Sequence, residues 1–150
     1  MGKRRRAREL ALSLLYQLEF HPGRPQEAME DFWVQHPSLP EAKEFASSLV
    51  LGVRERIDQI DSIIQRFTEH WSLQRIALVE RNILRLGIYE LLFRDDIPKK
   101  AALNEAIEIA KLYGSEDSGK FVNGILDRVM NSSLEEILAP AHKTQEAAGP

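Results

Sequence analysis

Apolar residues recur along almost the whole chain at spacings of three and four, the period of helices buried on one side. No stretch alternates as a half-buried strand does. The first such stretch, residues 6–20, places Ala7, Leu10, Ala11, Leu14, Leu15 and Leu18 on one face and turns Arg4, Arg5 and Arg8 away from it. His21-Pro22-Gly23 then ends it. A second helix is expected over residues 25–36, with Ala28, Met29, Phe32 and Trp33 inward. Ser38-Leu39-Pro40-Glu41 fits a capping box with proline in the first turn, opening a single long helix over residues 40–69. Its stripe runs through Phe45, Leu49, Val53, Ile57, Ile60, Ile64 and Phe67, and Gly52 suggests a close helix crossing.

Residues 71–75 read as a joint. Beyond it, Ile76, Val79, Ile83, Leu84, Gly87, Ile88, Leu91 and Leu92 form a wide apolar face, with Glu80, Arg81 and Arg85 as the charged side. Two further helices follow, over residues 98–112 and 118–130. Ser133 and Glu136 suit a short capped turn through Leu138. The expected architecture is all-α, about seven helices in two small packed bundles. Residues 1–70 and 71–139 form the halves of one domain, since neither half alone has much core, and residues 140–150 form a frayed tail.

Charge changes the picture at one end. Lys3, Arg4, Arg5, Arg6 and Arg8 all precede the first acidic residue, whereas the remainder of the chain carries 15 basic against 23 acidic residues. An acidic body with one basic pole attracts a polyanion locally without making the whole surface adhesive. Those cations run directly into helix-forming sequence, so the positive end of the helix dipole adds to their potential. For single-stranded nucleic acid, three to five phosphate contacts imply a log–log salt slope of roughly 2 to 3.5. Phosphate contacts position a strand and do not read it. Reading needs hydrogen-bonding and stacking groups, for which Tyr16, His70, Lys120, Phe121 and Asn123 are the candidates. Structural roles compete: core packing for Tyr16 and Phe121, and a helix-joining hydrogen bond for Asn123 and for Asn104.

Other chemistries find little support. There is no cysteine, which removes disulfides, thiolate metal sites and cysteine nucleophiles. His21, His36, His70 and His142 lack metal-ligand spacing, and Asp95, Asp96, Glu116 and Asp117 sit where they compensate helix dipoles. No phosphate-binding glycine loop, membrane-length apolar run or signal-peptide pattern is present, so a cytoplasmic, cofactor-free, non-enzymatic protein is expected.

Four segments, in order, carry a resemblance. They are Arg4-Arg5-Arg6-Ala7-Arg8-Glu9 with Ala11 and Leu15-Tyr16; residues 80–85 (ERNILR) with Tyr89-Glu90-Leu91; Ile97-Pro98 with residues 104–111 (NEAIEIAK); and Glu116-Asp117-Ser118 with residues 120–127 (KFVNGILD). Together they resemble the bacterial transcription antitermination factors of the NusB family; residues 22–70 match only in helical pattern. The resemblance implies two helical bundles and no enzymatic activity. It implies pairing with the small-subunit ribosomal protein called NusE, and binding by that pair of the boxA element of ribosomal RNA leader transcripts. Other Nus factors and RNA polymerase are then engaged indirectly, and some members form homodimers when free. Carried over by position, it implies RNA contacts at Arg4, Arg5, Arg6, Arg8, Asp117, Lys120, Phe121 and Asn123. It implies a protein contact at Glu80, with Arg81 and Arg85 beside it. An aromatic group of the family near residue 70 has no clean counterpart, His70 and Trp71 lying in that neighbourhood. A protein-only adaptor whose basic end docks or solubilises, and an RNA-modifying enzyme lacking its catalytic domain, are the competing readings.

Overall fold

The computed structural model describes residues 2–68, 72–132 and 136–137. Among these lie seven α-helices: α1 (Lys3–Glu19), α2 (Pro25–Gln35), α3 (Pro40–Glu55), α4 (Ile57–Arg66), α5 (Leu78–Phe93), α6 (Lys99–Tyr113) and α7 (Glu116–Asn131). A 3-10 turn, Leu73–Arg75, leads from α4 to α5. The fold is all-α, in two packed bundles. Helices α1 to α4 form one and α5 to α7 the other, and α5 also packs on α1, α3 and α4.

That shared position explains α5. A helix contacted from both bundles has almost no solvent side, and residues from Asn82 to Ile88 are buried without interruption. The expected charged side of Glu80, Arg81 and Arg85 is therefore corrected: Arg85 is buried, Glu80 and Arg81 are half-buried, and Asn82 and Glu90 also lie inside, at 1% and 2% exposure. Two glycines set the helix spacing. A Cβ on Gly87 would stand 2.6 Å from Leu126 Cδ1 of α7, and one on Gly52 of α3 would overlap the ring tip of Tyr89 on α5.

The apolar face of α1 is as expected, with Ala7, Leu10, Ala11, Leu14, Leu15 and Leu18 all buried. The long third helix is not. It breaks at Arg56, whose backbone (φ −117°, ψ 23°) leaves the helical region. The break re-aims α4 so that Ile60, Ile63 and Ile64 enter the core and Asp61 reaches Arg85. The capping box is also absent. Leu39 occupies the cap position of α3, and the Ser38 hydroxyl instead donates to the His36 carbonyl at 3.0 Å. Proline at the first turn suffices there, since its missing N–H costs nothing. A side-chain cap does open α7, where Ser115 Oγ accepts from the Ser118 N–H. His70, Trp71, Ser133 and the 140–150 tail lie outside the described residues.

Candidate nucleic-acid interface

Helix α1 begins at Lys3, so four consecutive cations, Lys3 to Arg6, form its first turn with no acidic residue among them. The exposed N–H groups of that turn add partial positive charge. Each residue advances about 100° around the helix axis, so consecutive arginines point to different neighbours. Arg4 is exposed, lies over the Phe45 ring at 4.5 Å, and has no carboxylate within ion-pair distance among the described residues. Arg5 reaches across to α6 and forms a two-pronged pair with Glu105, Nε to Oε1 at 2.8 Å and Nη2 to Oε2 at 2.7 Å. That pairing holds the Glu105 carboxyl below its usual range and raises Arg5. Arg6 is exposed, with Glu9 at 3.5 Å, and Lys3 makes a loose exposed pair with Glu41 at 3.4 Å.

Arg8 departs from expectation. It is buried, and it donates to Glu90 from Nε at 3.0 and 3.1 Å and from Nη2 at 2.7 Å. Burial pushes the Glu90 carboxyl up, against the pull of Arg8. The side chain faces α5, not solvent, so it fastens α1 to the shared helix. Arg85 is the second buried centre. It donates to Asp61 through Nε and Nη2 at 2.8 and 2.9 Å, and through Nη1 to Glu19 at 2.8 Å and Asn82 Oδ1 at 2.9 Å. It thus ties α1, α4 and α5 together and offers no surface to a partner. Arg81 is half-buried, bonded by Nη2 to the Ile76 carbonyl at 3.0 Å.

A corner forms where α1 meets the end of α6. Arg6 pairs with Glu9, and the Tyr113 hydroxyl stands near both, its pKa raised first by partial burial and then by the Glu9 charge. From Tyr113 the chain turns through Gly114 and Ser115 into α7, which carries Asp117, Lys120 and Asn123, all exposed, and half-buried Phe121. Ser118 donates to Glu80 Oε2 at 2.6 Å, locking the start of α7 onto α5. Asn104 and Asn123 are exposed, so neither is the interior asparagine expected; Asn82 is. Tyr16 is exposed as well, at 45%, and stands edge-on to Phe20 at 5.2 Å. Tyr16 and Tyr113 flank a groove of about 350 Å³, lined further by Ser13, Gln17, His36 and Asn82. Tyr113 and Phe20 were not singled out in the sequence. Each ends a helix, where the 3.6-residue period no longer tells inside from outside.

Among the described residues there is no group of three or more potential ligands able to hold a metal, and no helix long and apolar enough to cross a membrane.

The model of the NusB family matches residues 5–131, most of the chain. The chain belongs to the NusB family. The transcription antitermination protein NusB of Myxococcus xanthus is 47% identical over 133 residues, covering 86% of this chain and 95% of its own length. NusB of T. maritima superposes with a TM-score of 0.78 at 43% identity, covering 95% of this chain and 96% of that one. A chain from a crystal structure of the antitermination factors NusB and NusE in complex with dsRNA gives a TM-score of 0.78 at 33% identity. It covers 89% of this chain and 99% of its own. The two-bundle fold is thus NusB-like, and the chain is a transcription antitermination factor of a non-enzymatic family. Of the positions that the NusB resemblance suggested for RNA, the fold leaves Arg4, Arg6, Asp117, Lys120 and Asn123 exposed, Arg5 and Phe121 half-buried and Arg8 buried.

Proposed function

We propose that this chain, in the cytoplasm and together with the small-subunit ribosomal protein NusE, binds single-stranded boxA RNA of ribosomal RNA leader transcripts. The bound pair then serves the other Nus factors and RNA polymerase in keeping transcription processive. The observation that carries the reading is the first turn of α1, with Lys3, Arg4 and Arg6 exposed at the positive end of a helix that has no acidic residue there. Lys3, Arg4 and Arg6 take backbone phosphates, Arg6 at the corner it shares with Tyr113. Lys120 adds charge and Asn123 a base contact, Asp117 accepts from an amino group of a base, and Phe121 and Tyr113 offer ring faces. Unpaired bases splay and stack on such groups, whereas duplex RNA shows mainly its sugar-phosphate shape. Arg8 acts in this scheme by holding α1 in place.

The basic ribosomal protein docks at Glu80 and along the Tyr16–Tyr113 groove, with Arg81 at the margin and Arg85 as internal support. The groove also contains Asn82 Nδ2, a buried donor without a hydrogen bond among the described residues. Unsatisfied buried donors are costly, and a partner carbonyl would satisfy this one.

Fluorescence anisotropy with boxA-like RNA, its scrambled version and a duplex, with and without NusE, tests the reading. The pair is expected to prefer the single-stranded boxA sequence; equal binding of the scrambled strand contradicts it. Glu80→Lys places a like charge before the basic partner and is expected to weaken the protein pair about tenfold or more while the circular dichroism spectrum stays helical. An unchanged pair affinity removes Glu80 from the docking site.

A further inference from the structure

We propose that Glu105 stands in for an RNA phosphate on Arg5 in the free protein, so that RNA binding proceeds against an internal carboxylate that sets its affinity. The inference rests on the RNA-binding reading above. A carboxylate held by two parallel N–H···O bonds presents to a guanidinium the same fork that a phosphate presents. Glu105 does so on Arg5 at 2.8 and 2.7 Å, from 100 residues away in sequence.

Three features separate this pair from its neighbours. The Arg5 and Glu105 side chains remain 27% and 21% exposed, so a strand can reach them. Arg8–Glu90, at 6% and 3%, cannot open without stranding a buried charge. Lys3–Glu41 and Arg6–Glu9 are longer single contacts at 3.4 and 3.5 Å, and the cation of each is more than half exposed, so they hold little. Finally, Glu105 has somewhere to go. Arg8 Nη1, the nitrogen that Glu90 leaves unused, lies 4.0 Å from Glu105 Oε1. When Arg5 turns to a phosphate, a small shift of Glu105 toward Arg8 keeps the carboxylate compensated. The release of Arg5 is therefore a change of partner, not the loss of one.

Glu105→Gln keeps the shape and removes the charge. It is expected to tighten binding of the boxA-like RNA by about three- to fivefold, the scale of one partly exposed ion pair. The salt slope should stay unchanged, because Arg5 reaches the same phosphate in both complexes and only the competing carboxylate is gone. Adding Arg5→Ala should erase the gain. In the unsubstituted chain, the Arg5 Nε–Hε resonance should move on RNA addition while that of Arg8 stays, a measurement that does not depend on any variant folding. Unimproved binding by a folded Glu105→Gln chain, or an Arg5 resonance unmoved at RNA saturation, overturns the inference while RNA binding itself stands. An unsubstituted chain that binds no RNA, with or without NusE, overturns both.

Discussion

Replacing Arg8 by alanine destabilises the chain by about 3–5 kcal/mol, the cost of stranding one member of a buried ion pair. Arg8 and Glu90 side chains are 6% and 3% exposed and share three short hydrogen bonds, so alanine leaves a buried carboxylate facing α1 without its hydrogen-bonded cation, with only the more distant charges of Arg94 and Arg4 to compensate it. Glu105 cannot replace it, being an acid itself. Domains of this size are stable by only about 5–15 kcal/mol, so the variant should sit near the edge of folding. Urea unfolding followed by circular dichroism at 222 nm checks this. Replacing both partners, Arg8 by methionine and Glu90 by leucine, should recover most of the loss, because well-packed apolar groups remove the desolvation cost along with the attraction. A loss below about 1 kcal/mol for the alanine variant, the range of exposed pairs, would return Arg8 to the surface and to the RNA.

Gly52→Ala is expected to cost about 1–3 kcal/mol, although alanine is the better helix former by about 1 kcal/mol. The reason is the α3–α5 crossing. A methyl group at Gly52 overlaps Cζ and Oη of Tyr89 and lies 2.5 Å from Cε1. The ring cannot retreat freely, because it stacks near Phe93 with centroids 6.1 Å apart. Shortening the ring residue to leucine should relieve the overlap. In a double-mutant cycle, Gly52→Ala with Tyr89→Leu should cost clearly less than the sum of the two single changes. Additive costs would mean the two helices do not meet at this pair. Thermal unfolding of the four proteins decides it.

These two positions mark what could and could not be read from the chain. Helix periodicity identified the α1 face residue by residue, and Gly52 stood out as a crossing because a bare backbone position in an apolar stripe has few other uses. The break at Arg56 was hidden because Val53, Ile57, Ile60 and Ile64 keep helical spacing across it, so the apolar stripe runs on while the axis turns. Ser38 satisfied the pattern of a capping box, yet Pro40 already removes one of the N–H groups a cap would serve. Arg8 and Arg85 were misplaced for a different reason. Their partners lie 82, 24 and 66 residues away in sequence for the Arg8–Glu90, Arg85–Asp61 and Arg85–Glu19 pairs, and no local pattern reports such a pairing. The run of arginines was legible as charge but not as surface, because a helix distributes consecutive residues around its axis. Arg4 and Arg6 face outward, Arg5 crosses to α6, and Arg8 turns inward.

The central claim is that the outward cations of the first turn carry the RNA while the inward arginine carries the fold. The most direct measurement is the salt dependence of RNA binding by the NusE-paired chain, compared with the same chain bearing Arg4→Ala and Arg6→Ala. Arg4 only covers the half-buried Phe45 ring and Arg6 pairs loosely with Glu9, so the unfolding midpoint should move far less than it does for Arg8→Ala. Affinity should fall, and the log–log salt slope should drop by roughly 1.4, two phosphates' worth for a single strand. An unchanged affinity and slope, with the fold intact, would contradict the account.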